Sequence, residues 1–106
     1  MKFKIVYNPW WMRKGWAMVF FFWMWVGKDQ KDFADWHYRH ELQHCYQIKD
    51  KGRLWFYLTY AFYWFRYGMF WGGYKNNPYE IEANERENDP LTDQEKQWKE
   101  SGKIIL

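Results

Sequence analysis

Cysteine is nearly absent. Cys45 is the only one in 106 residues, which excludes an intrachain disulfide and leaves the thiol as a buried, inert core residue. Proline and glycine are sparse, at 3 and 7. There is no repeat, no low-complexity tract and no linker long enough to divide the chain, so a single domain over residues 1–106 is expected. Long apolar runs are missing too. Trp16–Val26 and Leu54–Phe65 stop after 11 and 12 residues, well short of the roughly 20 that a membrane-spanning helix needs. After Met1-Lys2-Phe3-Lys4 only three apolar residues precede Asn8-Pro9, too few for a secretory signal, and a cytoplasmic location is expected. Histidine is limited to 3.

Aromatics, by contrast, are abundant: 10 Trp, 9 Tyr and 9 Phe. Each buries roughly 150–250 Å², which helps so short a chain close a core. The net charge of +3 is unevenly placed. Residues 1–79 hold 12 Lys/Arg against 5 Asp/Glu, and residues 80–106 hold 4 against 8. The basic part favours an anionic surface in general terms, but no motif points to a specific nucleic acid.

Hydropathy patterning predicts the elements. Phe3, Ile5 and Tyr7 alternate with lysines as a first strand. Trp16–Val26, apolar on both faces, reads as one buried strand. Asp32 is placed to cap a helix over about Phe33–Asp50 that stops at Gly52. A second helix runs from about Leu54 to Phe70, aromatic almost all round and ended by Gly72-Gly73. Pro78 opens a third helix carrying Glu80, Glu82 and Glu85. Thr92-Asp93-Gln94-Glu95 is a capping box for a last short helix ending near Gly102. Lys103–Leu106 either returns to the core or stays loose.

His40-Glu41-Leu42-Gln43-His44 falls inside the first predicted helix. Residues four apart on a helix lie roughly 5–6 Å from each other, so both imidazoles can reach one zinc ion at about 2.0–2.1 Å. Glu41 points to the same side, where it can take a proton from a metal-bound water. The third histidine, His37, lies about 10.5 Å along the axis from His44, too far to share that ion. The missing ligand must come from another element, and the acidic helix after Pro78 offers Glu80, Glu82 and Glu85.

His40-Glu41-x-x-His44 followed by Glu80-Ile81-Glu82-Ala83-Asn84 resembles the gluzincin metallopeptidases. The strings Arg39–Gln47 and Asn77–Ala83 are similar to small zinc peptidases of bacteria and their phages. The resemblance covers about residues 39–87. It implies an α+β fold, with short N-terminal antiparallel strands packed on a helical zincin-like core. It also implies a zinc-dependent metallopeptidase in which Glu41 is the general base and His40, His44 and Glu80 are the metal ligands, with Glu82 the alternative third ligand. Asn84 stands where the family has an aspartate supporting a zinc-bound histidine. Gln47, one turn past His44, is placed either to support the site or to sit solvated at the helix end. Tyr74, Tyr79, His37 and Arg86 are candidate oxyanion donors. Trp16–Val26 is the candidate edge strand for a peptide or peptidoglycan-like substrate.

Two other classes compete with a hydrolase. One is a structural, virion-associated phage protein that keeps a peptidase-like fold and meets a partner protein through its aromatic surface. The other is a peripheral membrane binder using Leu54–Trp71 and the basic half.

Overall fold

The computed structural model describes all of residues 1–106. It is an α+β molecule with a four-stranded mixed sheet and four helices. The strands are β1 (Lys2–Tyr7), β2 (Ala17–Phe20), β3 (Trp23–Val26) and β4 (Lys103–Ile105), in the sheet order β2-β3-β1-β4. The helices are α1 (Asp35–Lys51), α2 (Arg53–Arg66), α3 (Pro78–Glu85) and α4 (Asp93–Ser101).

The N-terminal strands are not all antiparallel, as the sequence suggested. β1 runs parallel to β3 and pairs Ile5 with Met24, while β2–β3 and β1–β4 are antiparallel. The Asn8–Trp16 segment carries the chain past the β3 position to the far edge, and that crossing makes β1 and β3 parallel. The C-terminal segment returns to the core as β4, setting Ile104 opposite Phe3.

Trp16–Val26 is two strands, not one. Its turn falls at Phe21-Phe22 and contains no glycine, asparagine or proline, so it carries no turn signal. Phe21 sits at φ 55°, a left-handed conformation that costs an L-residue about 1–2 kcal/mol. α2 supplies the compensation. The Phe21 N–H donates to the Tyr57 hydroxyl at 2.7 Å, and the Arg53 Nε donates to the Phe21 carbonyl at 3.3 Å.

Helix ends also differ from the sequence reading. Asp32 lies in a 3-10 turn (Gln30–Asp32), and Ala34 occupies the N-cap of α1 without a side-chain bond. α2 ends at Arg66, four residues before the predicted Phe70, and Gly68 at φ 109° turns the chain into a 3-10 segment, Met69–Trp71. Gly73 is required for close packing there, since a β-carbon would collide with the Trp64 and Met69 carbonyl oxygens. Asn77 caps α3 and Thr92–Glu95 forms the expected capping box on α4.

The core lies between the sheet and α1. Phe3, Ile5, Met24, Val26 and Ile104 of the sheet meet Tyr38, Leu42, Cys45 and Ile48, which recur at helical spacing on one side of α1. The opposite side of α1 presents His40, Glu41, His44 and Gln47, all buried. It does not face water, because α2 and α3 pack over it.

Candidate metal centre

Three elements converge on one carboxylate. α1 contributes His40 and His44, whose Nε2 atoms each lie 3.0 Å from Oε1 of Glu80 on α3. α2 contributes Tyr60, whose hydroxyl donates to the other Glu80 oxygen at 2.5 Å. The His40, His44 and Glu80 ligand atoms all lie within 4.8 Å of one another, and all three residues are buried. Ligand atoms about 2.0–2.2 Å from a tetrahedral zinc are roughly 3.3–3.5 Å apart. The observed contacts therefore need to open by only a few tenths of an ångström.

Asn77 aligns α3 with this cluster. Fully buried, it caps the helix by accepting from the Tyr79 N–H at 3.0 Å, and its amide donates to the Tyr60 carbonyl at 3.1 Å. One residue thus fixes the start of α3 to the turn of α2 that holds Glu80.

The outer imidazole nitrogens are also engaged. His40 Nδ1 lies 2.9 Å from Oε1 of Glu87, and His44 Nδ1 lies 2.8 Å from Oε1 of Gln47. The Gln47 amide nitrogen in turn donates to the Tyr79 carbonyl and to Glu82. Gln47 is therefore buried against the site. Asn84 is exposed and bonds to neither histidine, although it borders the same cavity. Glu87, seven residues past Glu80 and beyond the end of α3, fills the supporting role expected of Asn84. Sequence reasoning missed it because Glu87 lies past the helix, where helical spacing no longer says which way a side chain turns. Glu82 accepts from Gln43 and Gln47 instead of joining the histidines, so Glu80 is the carboxylate brought to them.

The electrostatics follow from this wiring. His40 is set between Glu80 and Glu87, one carboxyl group at each ring nitrogen; burial disfavours charge on its ring, but the hydrogen bond to Glu80 outweighs it and raises its pKa. Burial disfavours charge on His44, but the hydrogen bond and charge of Glu80 outweigh it and raise its pKa to about 9. Burial alone would raise the Glu80 carboxyl, yet bonds from His40 and His44 hold it well below the usual carboxylate range. Glu41 is different. Buried beside the two histidines, it is pushed up to about 7 by loss of solvent, and its Oε2 has no hydrogen-bond partner.

These residues fit a divalent metal. Two imidazoles and a carboxylate form a common three-ligand set for catalytic zinc, and each histidine is oriented through its second nitrogen. The unpartnered Glu41 oxygen suits a water molecule beside such an ion. His40, His44 and Glu80 together can hold a metal ion.

Two cavities flank Glu41. One, about 510 Å³, is lined by Trp16, Trp36, His37, His40, Tyr74 and Glu87 among others. The second, about 350 Å³, is apolar and runs along β2 past His44 to Phe56, Tyr57, Tyr60 and Ala61. Tyr74 borders both. Among the other oxyanion candidates, His37 lines the first cavity. Its Nδ1 lies 3.1 Å from Lys28 Nζ, and burial and that cation lower its pKa to about 4. Tyr79 is turned to Thr59 and Arg86 to Asp89, away from Glu41. Compared with known proteins, the chain matches no family model, no curated sequence and no solved structure.

Proposed function

We propose that the protein is a zinc-dependent metallopeptidase. The observation that carries this reading is the convergence of His40, His44 and Glu80 beside a buried, unpartnered Glu41 carboxylate. Held by His40, His44 and Glu80, zinc would supply Lewis acidity and lower the pKa of a water molecule to about 7. Glu41, with its own pKa raised to about 7, is matched to accept that water's proton at Oε2 and return it to the leaving amine. Tyr74, which borders both cavities beside Glu41, is the candidate donor to the developing oxyanion.

β2 supports the peptide part of the proposal. It ends the sheet, so no strand pairs with its outward edge; the Val19 carbonyl there is taken by Tyr57, and Ala17, which borders both cavities, is the open part of that edge. An extended peptide can add to that edge and drop an apolar side chain between Phe56, Tyr57 and Tyr60. The test is hydrolysis of unstructured peptides and of peptidoglycan stem peptides by wild type and Glu41→Gln. The proposal expects at least a roughly hundredfold loss of rate in the variant, with zinc content retained. Equal rates in the two proteins reject it.

The competing reading, a structural component that retains this constellation, rests on the exposed aromatics, including Trp10 at 95%. It expects biological activity to survive Glu41→Gln unchanged.

A further inference from the structure

α2 is turned inside out for a helix in water. Leu54, Trp55, Leu58, Phe62 and Phe65 share one helical face and are 56–76% exposed. The side that faces the protein buries one apolar residue, Phe56, among hydroxyl groups. Tyr57 donates to the Val19 carbonyl at 3.2 Å, Tyr60 to Glu80 at 2.5 Å, and Thr59 meets the Tyr79 hydroxyl. These bonds fix the rotation of the helix, so it cannot roll to hide its leucines. A soluble helix has the opposite arrangement, and a contiguous apolar face of this kind marks an interaction surface.

Charge selects the partner. Between Lys49 and Tyr79 the only acidic residue is Asp50, against Lys49, Lys51, Arg53, Arg66 and Lys75. Pairing two α2 helices face to face, antiparallel or parallel, sets Lys51 and Arg66 of one copy only against the same cations of the other. A second copy docked α2 against α2 therefore offers no opposite charge, whereas an anionic lipid surface does. The apolar face suits the boundary between headgroups and acyl chains, with Trp55 at the interface and the cations among the headgroups. No helix is long and apolar enough to cross a membrane, so α2 lies in the plane of the surface.

We propose that the outward face of α2, rimmed by Lys51 and Arg66, docks the protein on an anionic lipid bilayer. The proposal is independent of the metal reading. The experiment is flotation of the full chain with phosphatidylcholine vesicles, with and without phosphatidylglycerol, at low and high salt. Wild type should float with the anionic vesicles at low salt, and at least about tenfold less with phosphatidylcholine alone or at high salt. Leu58→Glu/Phe62→Glu, both at exposed positions, should remain in solution with unchanged circular dichroism. Arg66→Glu should float less than wild type and provides an independent arm. The proposal is overturned if wild type stays in solution with anionic vesicles or if the double variant floats as wild type does. It is equally overturned if the double variant abolishes self-association while wild type never floats.

Discussion

Glu87 and Gln47 set how firmly His40 and His44 present their Nε2 atoms. Each bonds the far nitrogen of one ring, which fixes the ring's orientation, and Glu87 adds a negative charge that raises ligand basicity. Glu87→Ala is therefore expected to weaken zinc binding by about 10–100-fold, measured by competition with a chromophoric chelator. Asn84→Ala should leave the affinity unchanged, because Asn84 touches neither histidine. The opposite ranking of the two variants would return the supporting role to Asn84. At this scale the sequence was informative where helical spacing applied: residues 40, 41, 44 and 47 share a face of α1, as read. It was uninformative at Glu87, whose direction is set by the chain leaving α3.

His37 is the residue that makes stability depend on pH away from the metal ligands. In the unfolded chain it takes up a proton near pH 6.5; in the folded protein, burial and Lys28 delay this to about 4. Between those values the unfolded state binds the extra proton. His37 thus contributes stability above about pH 6.5, and that contribution is lost as the pH falls through about 4. Glu41 and His44, both raised, act in the opposite direction as pH falls, so the signature of His37 is a difference: the urea midpoint of metal-free His37→Gln relative to wild type should rise as the pH falls from about 6.5 to about 4. An unchanged slope in the variant removes His37 from the account.

Among the elements, α3 depends most on its neighbours. Eight residues are too few for a helix to persist alone, and Glu80 reaches the histidines only if α3 starts where Asn77 starts it. Asn77→Ala removes both the cap and the bond to the Tyr60 carbonyl. The expected cost is about 1–3 kcal/mol by urea unfolding, together with weaker zinc binding. A variant with intact affinity would show that packing alone positions Glu80. Pro78 and the acidic run made α3 legible in advance, and the capping box did the same for α4. The β2–β3 hairpin was not legible, because its turn is built from two phenylalanines. What holds Phe21 in place is Tyr57 and Arg53, more than thirty residues away. The parallel pairing of β1 and β3 was hidden for a related reason: strand order is decided by where Asn8–Trp16 crosses, and no local pattern records that.

Across the whole molecule, α1 is the shared wall. One side closes the hydrophobic core with the sheet, the other closes a polar centre with α2 and α3, and so almost nothing of the helix is left amphipathic. The aromatic excess noted in the sequence has two destinations. Part fills the core and the walls of the two cavities, and part lies in the open, on α2 and also around Trp10-Trp11, the Phe20–Trp23 turn and Phe70-Trp71. Composition alone could not apportion it: on α2 Phe56 and the hydroxyl-bonded Tyr57 and Tyr60 turn inward, while Leu54, Leu58, Phe62 and Phe65 are left outside.

The most direct test of the metal centre is zinc stoichiometry by elemental analysis of wild type, His44→Ala, Glu80→Ala and Glu41→Gln, purified identically and dialysed against trace zinc. The account predicts one zinc per chain in wild type and in Glu41→Gln, and almost none in His44→Ala or Glu80→Ala. A wild type without zinc, or equal zinc in all four proteins, would contradict it and leave His40, His44 and Glu80 as a buried hydrogen-bonded cluster that binds nothing.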